Sequence, residues 1–382
     1  MPSNATEPHN STKLPIPDLP EVGHTVDYED TPRSEGSRRH YAGNHHPTEG
    51  DGLVLRFKSL TRVFWAEFFG TAILALFGTA ANNQVALSNS SAVSNAPAGT
   101  YISVAFGWAL AVMLGVYVSG GVSGGHINPA ITLAMAIFRG FPWKKVPIYW
   151  AAQLTGSVTG AALTYWNYRH AIDLFEGGGG ARTIEKTGGL FFTSKLILFL
   201  QRIDHLKYIN TLIFLQRVIL FFILDPLPYV SNFNCFYNEF LMTALLMIFV
   251  VAVGDEGNTA PPKNMGPIII FWVVFGLAST LGMQTSFSLN PARDLGPRLV
   301  TWFAGYGSHV WSVRSHYWFV VAILGPVCGA IVGAFIYDFF IATNQVTCTL
   351  HGNNSFPPFL AKFLPAKRNR QEQLNGLESG QA

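Results

Sequence analysis

Charge is what this sequence has least of. Only 12% of its 382 residues are Asp, Glu, Lys or Arg, about half the share in an ordinary soluble domain. A water-soluble surface over most of the chain is therefore excluded. The net charge of +3 is too slight to argue for nucleic acid as a partner. Cysteine is scarce too. Cys235, Cys328 and Cys348 are an odd, scattered set, which excludes a disulfide framework. No metal-ligand cluster and no nucleophile–base pair shows at a telling spacing, so the sequence offers no catalytic residue, no metal site and no cofactor.

What is abundant is apolar surface. Hydrophobic residues make up 49% and aromatics 14%, and they gather in runs of spanning length, roughly 20 residues each. Six spans are expected, at Arg62–Val85, Thr100–Ser119, Val146–Trp166, Phe233–Val253, Met265–Met283 and Tyr317–Phe340. Residues 1–61 form a polar, Pro- and His-rich stretch that reads as a disordered tail. Residues 342–382 form a second polar tail, with a basic patch at Lys362, Lys367, Arg368 and Arg370. The channel-like body is thus placed at 62–341.

The spans repeat. Ala66-Glu67-Phe68-Phe69-Gly70-Thr71-Ala72-Ile73-Leu74 aligns with Asn238-Glu239-Phe240-Leu241-Met242-Thr243-Ala244-Leu245-Leu246. Each half holds three spans, an odd number, so the second half enters the membrane from the opposite side. That is an inverted repeat. Each half also holds an apolar piece too short to cross: Asn128–Phe138 and Asn290–Phe303. Both begin Asn-Pro-Ala: Asn128, Pro129, Ala130 and Asn290, Pro291, Ala292. Proline suits a first helical turn, where its missing N–H would have no partner anyway. Each piece therefore reads as a re-entrant half-helix starting inside the membrane. The fold class that follows is an all-α membrane protein, with six transmembrane helices plus two re-entrant half-helices in an inverted repeat. Lys and Arg near the span ends put both termini in the cytoplasm. The glycine spacings Gly156/Gly160 and Gly325/Gly329/Gly333 suit close helix packing.

A half-helix N-terminus offers unpaired N–H groups and a partial positive charge. Two of them head to head, with two asparagine amides, orient a passing hydroxyl and oppose cations. At this point the chain resembles the major intrinsic protein family, on Ser123-Gly124-Gly125-His126-Ile127-Asn128-Pro129-Ala130 and Asn290-Pro291-Ala292-Arg293-Asp294. The resemblance implies a channel, a homotetramer and, by spacing from the motifs, a constriction. Arg293 is its charged member, and Trp108, Ala278 and Phe287 are the others. Ala278 stands where water-selective relatives carry His and glycerol channels usually carry Gly. Asp294 resembles the aquaglyceroporin pattern, as a structural mark of that branch outside the pore. His126 is expected to hold its loop and line the pore. Glu67 and Glu239 are expected to brace the re-entrant loops, with a proton relay as the rival role.

The resemblance thus implies a passive channel for glycerol, water and other small neutral solutes in the lipid bilayer of the plasma membrane, in a fungal style of chain. A strict water channel, a proton-coupled transporter and a non-conducting or gated member are the alternatives. Residues 194–224 fit none of this. They are apolar yet carry Lys195, Arg202, Asp204, Lys207 and Arg217. A seventh span there would turn the second half over, so the stretch is expected not to cross. It reads as a lineage-specific insertion or a translated intron, since Ser194-Lys195 is encodable by AGTAAG.

Overall fold

The structure is a computed structural model that describes residues 53–193, 230–262, 264–313 and 317–342. The expectations for 194–224, for the tail before residue 53 and for the tail after residue 342 lie outside the described residues. Every regular element among the described residues is helical. We number them α1 (Leu53–Ser88), α2 (Tyr101–Ser123), α3 (Pro129–Phe138), α4 (Val146–Glu176), α5 (Asn232–Val253), α6 (Gly266–Leu281), α7 (Pro291–Thr301) and α8 (Tyr317–Phe340).

Four of these, α1, α2, α5 and α8, are long and apolar enough to cross a membrane on composition alone. The other two spans fall short for different reasons. Helix α4 is long enough, but it buries Gln153, Ser157 and Thr164 against its neighbours, which lowers its apolar content. Helix α6 has 16 residues, about 24 Å of rise, short of the roughly 30 Å of a bilayer's hydrocarbon core. Together with α3 and α7 they make the all-α membrane fold of six spans and two half-helices.

Two boundaries need correction. The first tail was placed through residue 61, but α1 already starts at Leu53. Leu53–Leu60 contains neither Gly nor Pro, so nothing stops the helix from running on. Likewise α4 continues to Glu176, ten residues past Trp166, and ends only where Gly177 turns left-handed (φ 101°).

The halves pack by one rule. Helix α1 lies between α2 and α4, and α5 lies between α6 and α8. The half-helices cross over: α3 packs on α8 and α7 on α4. Glycine sets the closest approaches. A Cβ on Gly156 or Gly160 would strike the carbonyl of Phe68 or Ala72, and one on Gly329 or Gly333 that of Phe240 or Ala244. Phe68/Phe240 and Ala72/Ala244 are the pairs that the sequence repeat aligns. Both interfaces thus use the same bare-backbone contact.

The residues flanking 194–229 also bear on topology. Thr193 is bonded to α7 through Asp294, while Val230 packs with Tyr317 and Val321 at the start of α8. Arg298 of α7 reaches the Val310 carbonyl in the segment leading to α8. Thr193 is thus held on α7 and Val230 on the first turns of α8.

Candidate functional site

The two half-helices begin alike. Asn128 (φ −154°, ψ 119°) and Asn290 (φ −151°, ψ 113°) are extended N-cap residues, each followed by proline. Asn128 Oδ1 accepts from Ala130 N at 2.9 Å. Asn290 Oδ1 accepts from Ala292 N at 2.9 Å and Arg293 N at 3.3 Å. Capping thus fixes each amide with its oxygen toward its own helix. The nitrogens reach across. Asn128 Nδ2 donates to the Leu289 carbonyl at 2.9 Å, and Asn290 Nδ2 donates to the Ile127 carbonyl at 2.8 Å. One N–H of each side chain is so engaged, and a second remains.

The loops entering the half-helices are bent by left-handed backbone. Gly124 (φ 91°), Gly125 (φ 66°) and Ile127 (φ 41°) do this in the first half, and Ser286 (φ 61°), Phe287 (φ 44°) and Leu289 (φ 55°) in the second. For residues with a Cβ that conformation costs about 1–2 kcal/mol each. The two buried glutamates offset it. Glu67 Oε1 accepts from Ser123 Oγ (2.5 Å) and His126 N (3.0 Å), and Oε2 from Ile127 N (2.7 Å) and Gln153 Nε2 (2.8 Å). Glu239 accepts from Ser288 N at 2.7 Å and Leu289 N at 2.9 Å. Both carboxyls are fully buried and bound to loop backbone at matching positions.

A cavity of about 230 Å³ runs past these elements. Its walls are mostly apolar, from Leu74, Val112, Val116, Ile131, Leu246, Val250, Ile270 and Val274. The polar groups are few: His126, Asn128, Ser288, Asn290 and Arg293. His126 Nδ1 lies 3.2 Å from Thr132 Oγ1, and its ring packs on Phe141 and Tyr149 at 4.8 and 5.0 Å.

Trp108, Phe287 and Arg293 meet at one end of the cavity. The Trp108 and Phe287 rings pack edge to face, 6.3 Å between centroids. The Arg293 guanidinium carbon sits 4.1 Å from the Trp108 ring centroid and 5.7 Å from that of Phe287. Arg293 is 3% exposed. Its Nη2 donates to the Ser286 carbonyl at 3.1 Å. Its Nε and Nη1 are buried with no hydrogen-bond partner among the described residues. A buried guanidinium with unpaired N–H groups is expensive unless something in the cavity accepts from them.

Ala278 is fully buried in the same hydrophobic cluster as Trp108 and Phe287. Its carbonyl accepts from the Tyr101 hydroxyl at 2.7 Å. Asp294 lies off the cavity. Its Oδ1 accepts from Arg298 Nε at 2.9 Å, and its Oδ2 from Thr193 N at 2.8 Å and from Thr193 Oγ1. Arg298 then donates to the Val310 carbonyl and sits 4.0 Å from the Phe192 ring centroid. This buried pair ties Thr193 and the Val310 carbonyl to α7. Sequence reasoning missed Tyr101 and Thr193 because their partners lie 177 and 101 positions away; it missed Arg298 although the i,i+4 spacing from Asp294 was a signal that could have found it.

The comparisons with known proteins agree in kind. A family model described as Major intrinsic protein matches residues 55–337. Aquaporin-6 of Laccaria bicolor is 43% identical over 76% of this chain and 83% of its own length. Aquaporin-7-2 of the same fungus is 45% identical over 72% of this chain and 74% of its own. Among solved structures, the aquaglyceroporin from Plasmodium falciparum is similar at a TM-score of 0.58 and 25% identity, over 74% of this chain and 96% of that one.

Proposed function

The chain belongs to the major intrinsic protein family, and from that premise we propose that it is a passive channel for glycerol and water of the aquaglyceroporin branch. The family makes it an integral membrane channel for small solutes. The choice of solute is our reading. It rests above all on Arg293, whose guanidinium keeps two unpaired N–H groups and lies against the apolar pair Trp108 and Phe287 in the cavity lining. A polyol fits such a site: its carbon face lies on the two rings while its hydroxyls accept from the guanidinium. The free N–H groups of Asn128 and Asn290 then receive the next oxygen along the path.

Proton and ion exclusion follow from the same parts. Each half-helix presents about half a positive charge at its N-terminus. A monovalent cation about 5 Å from both ends, at an effective dielectric near 20, meets a barrier of about 3 kcal/mol. The full charge of Arg293 adds to it. The backbone bonds of Glu67 and Glu239 support bracing over a proton relay, since neither side chain lines the cavity.

We further propose a homotetramer in the plasma membrane with both termini cytoplasmic. The deciding test is light scattering from vesicles that hold the purified chain, shocked with sucrose and then with glycerol. Fast shrinkage in sucrose followed by fast re-swelling in glycerol is the expected result. Shrinkage without re-swelling makes it a water channel.

A further inference from the structure

We propose that Gly78 and Asn82, one turn apart on α1, form a socket that fixes Trp108 and thereby sets which solutes pass. The inference rests on the polyol-filter reading and adds two positioning residues to it.

Trp108 stands on α2 and is 3% exposed. Its indole Nε1 donates to Asn82 Oδ1 at 3.0 Å. A Cβ added to Gly78 would overlap its ring atoms Cε3, Cζ3 and Cδ2. The six-membered part of the indole therefore lies on bare α1 backbone, while its N–H edge is tied one turn further along. Asn82 cannot turn its amide freely. Its Nδ2 donates to the Leu190 carbonyl at 3.0 Å, which leaves the oxygen for the indole. Arg293 lies 4.1 Å from the Trp108 ring centroid. At that distance ring and guanidinium are in van der Waals contact, so the socket fixes both as one wall of the constriction, past which a permeant must move.

Neither Gly78 nor Asn82 lines the cavity, so both act through Trp108. A missing acceptor at position 82 would leave a buried indole N–H unpaired and release the ring's edge. A methyl at position 78 would drive the ring off α1. The two substitutions disturb one side chain by independent routes.

The test uses the full chain in vesicles, with water and glycerol permeabilities normalised to the amount of folded protein by size-exclusion chromatography. Asn82→Leu keeps the volume and removes the acceptor. We expect it to change the glycerol-to-water ratio by about two- to tenfold, the scale of one neutral hydrogen bond. Gly78→Ala should shift the ratio as well, with the hydrogen bond partner still in place. In a Trp108→Phe background, which has no indole N–H, Asn82→Leu should change the ratio no further. If Asn82→Leu fails to reach the folded state, adding Trp108→Phe must restore it. An unchanged ratio in both single variants overturns the proposal. So does an equal effect of Asn82→Leu with and without the indole, or a failed restoration. A wild-type chain that passes water but no glycerol sinks the polyol reading alone. The socket is then judged on water permeability, which both single variants must alter and the double must not alter beyond Trp108→Phe.

Discussion

Phe287 combines two demands that a single residue rarely meets. Its ring is a wall of the constriction, and its backbone sits at φ 44°, a region in which glycine is at ease and phenylalanine is not. Phe287→Gly should relieve about 1–2 kcal/mol of backbone strain and remove the wall. Erythritol should then enter vesicles nearly as fast as glycerol, and an unchanged size cut-off would count against Phe287 as a wall. Arg293 invites the opposite experiment. Arg293→Leu removes both the buried donors and the charge. Vesicles filled with a pH-sensitive dye should then leak protons while glycerol flux falls. Tight vesicles would mean that the half-helix ends alone exclude protons.

At the level of elements, glycine separates positions that touch from positions that do not. Gly333 faces the Ala244 backbone of α5, whereas nothing lies within 4 Å of a Cβ placed on Gly276. Gly333→Ala should destabilise by about 1–3 kcal/mol through overpacking. Gly276→Ala should be neutral or gain up to about 1 kcal/mol of helix propensity. Thermal unfolding in detergent reads both, and equal midpoints would refute the contact geometry. These elements also show what the sequence makes legible. The half-helices could be read because Asn, Pro and Ala act locally: a cap, a fixed φ and a small side chain, within three residues. The spans could be read because length and hydropathy are sums over many residues. The bond from Tyr101 to the Ala278 carbonyl and the α1 socket under Trp108 depend on contacts between helices. Such contacts leave no periodic trace. The start of α1 was hidden for another reason: a polar neighbourhood obscured the nine residues Leu53–Thr61, which hold no helix breaker.

For the molecule as a whole, the Asp294–Arg298 pair ties two loops distant in sequence, at Thr193 and Val310, to the bundle. Its two side chains are 2% and 1% exposed. Asp294→Asn leaves the guanidinium buried without its charge partner and should cost about 3–5 kcal/mol. Asp294→Leu with Arg298→Met removes both charges and should recover most of that loss. The unfolding midpoint of the double variant, set beside that of Asp294→Asn, is the check. A double variant no more stable than the single one would show that the pair's worth lies in its loop contacts.

The reciprocal bonds between the two asparagines carry a consequence of their own. Asn128 binds the residue before Asn290, and Asn290 binds the residue before Asn128. Contacts that read the same from either side are the mark of an isologous, twofold interface between identical subunits. The two halves of this chain are therefore related as partners in a dimer that happens to be joined. A half-length ancestor inserting in both orientations would make the same two bonds between copies, and fusing the copies into one chain would add no new contact at the centre. The halves differ in the walls: glycine at 124 and 125 on one side, serine and phenylalanine at 286 and 287 on the other. A pore built from two identical halves would be the same from both ends, and this one is not.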